Sequence, residues 1–259
     1  MTQSSPLHDL TADDQAFSFV FASGARPDQA GLAALFDGTG LEGLPASLSH
    51  VPGEAEGWVE ILASGLTFDV RGLSPASGTA CIVPRHDYGF APGTVAQALG
   101  GRGGAISLGP AGHIAAGAAL APVIRTMAGL AANLAARLPV CAVLWPPARS
   151  AMEPGYFVRI VLNWLAGGAF PALGLTALEA APDGSVASLG LAFFTGVEMQ
   201  LEAGPDRDAA ADFKLAIRVV DYLVTNGVPA GDAQIQVDNH ALVLERSRQG
   251  KRVWVWRAD

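Results

Sequence analysis

Apolar residues alternate with polar ones, or form short unbroken runs, in many segments of this chain. In the first segment, Phe17, Phe19 and Phe21 fall on one side of an extended backbone, and this period of two predicts a β-strand over residues 17–22. The same criteria predict further strands over residues 58–62, 66–70, 79–83, 105–108, 140–145, 173–180, 186–194, 198–202, 241–246 and 252–256.

Apolar positions three and four residues apart predict the helices. The spacing favours a short helix that begins near Pro27, a second over residues 94–99, a long one within 113–138, and two more over 153–166 and 207–226. In the helix over 153–166 we expect the inward side chains to be Phe157, Ile160, Val161 and Trp164. Residues 38–57 hold few periodic positions, so we predict a long connection there.

Strands and helices are interleaved in the first part of the chain and segregated in the last part. This order predicts the α+β class, with a mostly antiparallel or mixed sheet layered with helices. The chain has 259 residues, of which 50% are hydrophobic, so it can build one large core. We therefore predict a single domain over 1–259, and sub-lobes 1–104 and 105–259 remain the alternative.

Charge and composition restrict the partners. The net charge of −8 argues against binding to nucleic acid or to an anionic membrane surface, because both attract basic proteins. The uncharged stretch 103–124 is rich in alanine and glycine, which favours a buried strand, turn and helix over a membrane span. An acidic, polar N-terminus and only two cysteines, Cys81 and Cys141, predict a cytoplasmic protein with free thiols.

The familiar sequence signatures of cofactor and metal enzymes do not occur in a suitable context. Residues 38–43 spell G-x-G-x-x-G, but a predicted helix precedes them and proline follows, so we predict a loop and not a dinucleotide site. The chain has no G-x-S-x-G, no H-E-x-x-H and no paired C-x-x-C. We predict no cofactor and leave metal binding open.

Four polar residues are the candidates for catalysis: His86, Asp87, His113 and Glu198. Imidazole titrates near neutral pH and carboxylates prefer hard cations, so adjacent His86 and Asp87 suit a metal-assisted or acid–base hydrolase. Neighbouring side chains on a strand point in opposite directions, however. This hypothesis therefore requires His113, Glu198 or Tyr88 to converge with them in one cleft, and a polar surface loop is the simpler interpretation.

Two tryptophans near the C-terminus suggest a different function. Trp254 and Trp256 share one face of the last predicted strand, with Arg252 and Arg257 beside them. Such a face can close a core, contact a second subunit or bind a protein partner. Together with the missing catalytic signatures, it favours a protein that acts by binding a partner or by forming a homodimer, and hydrolysis centred on His86 and Asp87 is the alternative.

One stretch resembles a known family. The sequence Gly-Leu-Ala-Phe-Phe-Thr-Gly-Val-Glu over 190–198 is similar to a Gly-Leu-x-x-Phe-Gly-x-x-Glu stretch in a family of uncharacterised bacterial proteins known only as a domain of unknown function. Thr195 stands where that family usually has glycine. The resemblance covers about residues 105–246, implies an α+β fold, and carries over no catalytic residue.

Overall fold

A computed structural model describes residues 15–37, 44–100, 104–204 and 208–258. Within these ranges the fold is of the predicted α+β class and contains two mixed, mostly antiparallel sheets of eight and six strands, with six α-helices. The predicted loop at 38–43 lies outside the described residues.

The first sheet contains eight strands: β1 (Phe17–Phe21), β2 (Ala46–His50), β3 (Trp58–Ala63), β4 (Leu66–Arg71), β5 (His86–Tyr88), β6 (Ala105–Pro110), β7 (Val140–Trp145) and β8 (Ser150–Met152). Their order is β2-β3-β4-β6-β1-β7-β8-β5, and all neighbours are antiparallel except β8 and β5. Strand β1 lies inside the sheet, where Phe19 is opposite Ile106 on one side and Val143 on the other.

The second sheet contains β9 (Ala177–Ala180), β10 (Val186–Leu189), β11 (Glu198–Leu201), β12 (Ala233–Val237), β13 (His240–Arg246) and β14 (Arg252–Arg257). The order is β12-β13-β14-β11-β10-β9, and the one parallel pair is β11 with β14. The turn between β9 and β10 requires a positive φ at Gly184, which is +93°. Glycine adopts this conformation without strain because it has no Cβ.

The helices are α1 (Gln29–Ala33), α2 (Val95–Gly100), α3 (Ala121–Arg137), α4 (Pro154–Leu165), α5 (Leu191–Thr195) and α6 (Ala209–Asn226). Helix α3 contacts the first sheet and packs against α4, and its small residues are buried on more than one side. Helix α6 covers the inner face of the second sheet, where its buried side chains are Leu215, Ala216, Val219, Val220 and Leu223.

Aromatic side chains join the two sheets through one hydrophobic core. The ring of Trp145 stacks on Phe17 with centroids 4.4 Å apart and meets Phe193 edge-on at 5.1 Å. The indole Nε1 of Trp145 donates to the carbonyl of Leu175 at 2.9 Å. This bond satisfies the polar atom of a fully buried tryptophan and fixes the segment before β9 against the end of β7.

Several predicted elements were wrong. Residues 79–83 form only an isolated bridge from Thr79 to Ala105, and the connection over 38–57 contains β2. The predicted strand over 186–194 ends at Leu189, because Gly190, with φ +86°, turns the chain into α5. Strands β5, β8 and β12 were not among the predicted elements; the first two have three residues each, too few to show a period, whereas β12 alternates apolar and polar residues.

Candidate functional site

The predicted pair His86 and Asp87 lies on β5, the edge strand of the first sheet. Asp87 is exposed, whereas His86 and Tyr88 are partly buried, which places their side chains on the opposite face of the strand. The structure thus places His86 and Tyr88 on one face of β5 and the Asp87 side chain on the other.

His86 connects the edges of the two sheets. Its Nε2 lies 3.0 Å from Oε1 of Glu179 on β9, with the imidazole 20% exposed and the carboxylate 48% exposed. The sequence could not reveal this contact, because 93 residues separate its partners. The arrangement can hold a proton between imidazole and carboxylate, and it leaves one side of the carboxylate open to water.

Two tyrosines lie beside this pair. The rings of Tyr88 and Tyr156 are nearly parallel with centroids 6.4 Å apart, and the Tyr156 hydroxyl donates to the Leu173 carbonyl at 2.8 Å. Burial, followed by electrostatic interaction with Tyr156, Asp87 and Glu179, raises the pKa of Tyr88 to about 12. Tyr88 therefore stays protonated at neutral pH and is a poor proton acceptor.

His113 lies far from His86. It follows β6, and its Nε2 is 3.0 Å from the hydroxyl of Thr67 on β4. Four strand spacings separate β6 from β5 in the sheet order, which amounts to about 19 Å. His113 consequently does not converge with His86 and Asp87.

Glu198 is enclosed by hydrogen-bond donors. Its carboxylate accepts a short hydrogen bond from the Ser188 hydroxyl and three from backbone N–H groups, those of Gly190 at 2.8 Å and of Leu191 and Ala192 at 3.2 Å each. These backbone groups belong to the N-cap and first turn of α5, where N–H groups have no partner within the helix. Glu198 therefore caps α5 from the neighbouring strand.

Two effects oppose each other at this carboxyl group. Burial raises the pKa of Glu198, and the four hydrogen bonds lower it by a smaller amount, so the net pKa lies above its usual value. Both carboxylate oxygens are engaged by these donors, Oε1 by Gly190 and Ala192 and Oε2 by Ser188 and Leu191. Of the residues the sequence highlighted, Glu198 has the clearest structural role.

The same cap explains the remaining residues of the 190–198 stretch. An added Cβ on Gly190 would lie 2.8 Å from the backbone nitrogen of Ala148, which excludes a larger residue there. The Thr195 hydroxyl donates to the carbonyl of Val197 at 2.9 Å and of Leu191 at 3.2 Å. The stretch forms a short helix between β10 and β11 that is held by its own hydrogen bonds.

The described residues contain no group of three or more histidine, cysteine, aspartate or glutamate side chains that could hold a metal ion. Cys81 and Cys141, both within the described ranges, are free thiols. Burial raises the pKa of the Cys81 thiol, which makes it a weaker nucleophile at neutral pH.

Trp254 and Trp256 lie on the outer face of the second sheet, opposite α6. Their ring centroids are 6.5 Å apart, and 41% of Trp256 is exposed. Cross-strand pairing extends this face into two rows, which we call the tryptophan face: Ala187, Gln200, Trp254 and Glu245 in one row, and Trp256, Val243 and Gln234 in the other.

The two arginines predicted to flank the tryptophans occupy opposite sides of the sheet. Arg252 lies over the ring of Trp254 at 5.8 Å and donates to Oε1 of Gln200 at 2.6 Å. Arg257 instead points toward α6, where it forms a short ion pair with buried Asp212. Only Arg252 therefore belongs to the tryptophan face.

No model of a protein family, no curated protein and no solved structure matches this chain. The resemblance at residues 190–198 therefore stays a prediction. Among the described residues, no helix combines the length and the apolar character that crossing a bilayer requires. The stretch 103–124, where it is described, contains β6, a helical turn and the start of α3, as the sequence predicted.

Proposed function

We propose that this chain is a cytoplasmic protein that acts by binding, and that the tryptophan face binds a second copy of the same chain. The observation that carries the proposal is the exposure of Trp256 beside Trp254 on a sheet face that no helix covers among the described residues. Tryptophan and arginine are the residues that most often dominate the binding energy of protein interfaces.

The distribution of polar groups supports this assignment. The centre of the face is occupied by Trp254, Trp256 and Val243, and uncharged Gln200 and Gln234 lie around them. A charge-poor aromatic centre with a polar rim is the usual anatomy of a protein–protein interface.

The charges on the face favour a second copy as the occupant. Arg252 and Glu245 both lie next to Trp254 and carry opposite charges. In a two-fold dimer each patch meets itself, so Arg252 of one copy can approach Glu245 of the other. The face is thus complementary to itself in charge, while the whole chain, at −8, repels its copies elsewhere.

Sedimentation velocity tests the proposal over protein concentrations from about 1 to about 100 µM, because a modest interface dissociates in this range. We expect a monomer–dimer equilibrium for the wild type and a monomer for Trp256→Glu, which places a charge at the centre of the face. The matched control is Val83→Glu. Val83 is an apolar residue that is 77% exposed, and it precedes β5 of the first sheet.

The control variant should dimerise like the wild type. A wild type that stays monomeric throughout the range, or a dimer that Trp256→Glu leaves intact, would contradict the proposal. Circular dichroism of each variant separates loss of dimer from loss of fold.

The alternative, acid–base hydrolysis at His86, has one observation in its favour, the 3.0 Å contact between His86 and Glu179. A histidine oriented by a carboxylate is a common general base. The predicted partners do not assemble around it, however: Asp87 faces away, His113 is about four strands distant, and Glu198 caps α5. We therefore favour binding over catalysis.

A further inference from the structure

A second site lies against helix α4. It is a pocket of about 440 Å³, formed by one face of α4, the segment 169–173 and Ile217 on α6. This volume falls within the range of small-molecule sites, which is about 300–1,000 Å³. We call it the α4 pocket.

The helix presents four residues to the pocket at the spacing of a single face: Tyr156, Arg159, Ile160 and Asn163. The sequence predicted Ile160 among the inward residues of α4. The structure buries Phe157, Val161 and Trp164 but leaves Ile160 only partly buried, as part of the pocket wall. Ile160, an apolar residue next to the buried stripe of α4, is thus the sequence feature that indicates this pocket.

Two exposed polar side chains, Arg159 and Asn163, give the pocket hydrogen-bond donors that can reach a ligand. The guanidinium of Arg159 lies 5.5 Å from the centre of the Tyr156 ring, which orients it along the helix. No carboxylate of the described residues lies within ion-pair distance of Arg159, and the side-chain amide of Asn163 has no hydrogen-bond partner among them. None of the described lining residues is acidic.

The opposite wall is apolar and held in place. Phe170 meets the Trp164 ring edge-on at 5.4 Å, and its backbone N–H donates to Oδ1 of Asp221 on α6 at 2.7 Å. The Tyr156 hydroxyl fixes the same segment through the Leu173 carbonyl at 2.8 Å. The wall is therefore formed before any ligand enters, which limits the entropy lost on binding.

We propose that the α4 pocket binds a small organic acid, with its carboxylate on Arg159 and Asn163 and its apolar body against Ile160, Phe170 and Ile217. The unpaired arginine selects an anion, because a carboxylate accepts two N–H groups of a guanidinium at once. The apolar wall selects a hydrocarbon body over a free inorganic anion, since burial of methylene groups drives binding there.

Titration calorimetry with sodium octanoate tests the proposal, with 1-octanol as the uncharged analogue and butanoate as the shorter acid. We expect octanoate to bind with Kd of about 1 mM or tighter, at least tenfold more tightly than 1-octanol. Affinity should rise about fourfold for each methylene added between butanoate and octanoate.

Arg159→Gln provides the decisive variant, because it removes the charge and keeps most of the side chain. It should weaken octanoate binding about tenfold and leave 1-octanol binding unchanged. Arg248→Gln is the matched control, since Arg248 is an exposed arginine in the turn between β13 and β14, and this variant should bind octanoate like the wild type.

The proposal is overturned by any of three results. These are an absence of saturable octanoate binding in the millimolar range, equal affinity for octanoate and 1-octanol, and equal octanoate affinity in the Arg159→Gln variant and the wild type. Binding by the Trp256→Glu monomer would leave the proposal standing, because the pocket and the tryptophan face share no residue.

Discussion

Glu198 and Glu179 are both strand residues of the second sheet, and their surroundings could hardly differ more. The Glu198 carboxylate accepts four hydrogen bonds from a strand and a helical turn close to it in the chain. The Glu179 carboxylate is 48% exposed and contacts one distant side chain, His86. The Glu198 carboxylate stabilises the local backbone, whereas the Glu179 carboxylate can still accept hydrogen bonds from solvent or a partner.

This contrast shows which polar residues to consider functional. Glu198 stands at the end of the most distinctive sequence stretch, yet its carboxylate is engaged by three backbone N–H groups of α5 and by the Ser188 hydroxyl. The groups that remain open are less conspicuous in the sequence: Arg159 in the α4 pocket and Trp256 on the tryptophan face. A cation without a carboxylate partner at the wall of a pocket and an exposed aromatic ring indicate binding better than a short motif does.

The largest effect should come from Glu198→Ala. This variant leaves three backbone N–H groups of α5 and the Ser188 hydroxyl without their acceptor in a partly buried site, so we expect the free energy of unfolding to fall by about 3 kcal/mol. Urea denaturation followed by circular dichroism measures the loss.

Glu179→Ala is the matched control for that measurement. It deletes a carboxylate from the same sheet, but the carboxylate is half exposed and pairs with a single side chain, so the expected loss is about 0.5 kcal/mol. Similar losses for the two variants would contradict the distinction between them.

A smaller effect should appear in the pH dependence of stability. Because the folded-state pKa of Glu198 lies above its ordinary value of 4.5, the folded protein binds this proton more tightly than the unfolded chain does. The resulting stability is fully present below the unfolded pKa and is lost as pH rises through the folded pKa.

Glu198→Gln cannot titrate and isolates this contribution. The free energy of unfolding of the wild type, minus that of Glu198→Gln, should fall as pH is raised from about 4 to about 7. Urea denaturation at several pH values in that interval measures the difference. A difference that grows with pH would mean that the hydrogen bonds, and not burial, determine the pKa of Glu198.

The sequence predicted the class of the fold and most of its longer elements, because buried strands such as β7 and helices such as α3 and α6 carry their period in the chain. It did not predict the cap formed by Glu198, because a short apolar run such as 191–194 is compatible with either a strand or a helical turn. The deciding feature is the left-handed backbone of Gly190, which the apolar pattern does not contain.

The sequence also could not predict contacts between segments that are distant along the chain. The pairing of His86 with Glu179 depends on how the edges of two sheets meet, and the α4 pocket depends on where the segment 169–173 packs against Ile217. The tryptophan face was partly visible, because alternation alone places Trp254 and Trp256 on one side. Alternation also places Arg257 on the opposite side from Trp256, although the two are neighbours in sequence, and the structure has Arg257 on that opposite side.

The smallest effect should come from His86→Gln. The imidazole is only 20% exposed, but its partner Glu179 is largely solvated, and an ion pair with one solvated member contributes little because water screens it. Glutamine can still donate a hydrogen bond to the carboxylate. We therefore expect the free energy of unfolding to change by less than about 0.5 kcal/mol, measured by urea denaturation at neutral pH beside Glu198→Ala. A loss as large as that of Glu198→Ala would show that the contact between the two sheet edges is a main determinant of the fold, and that Glu179 resembles Glu198 in role despite its exposure.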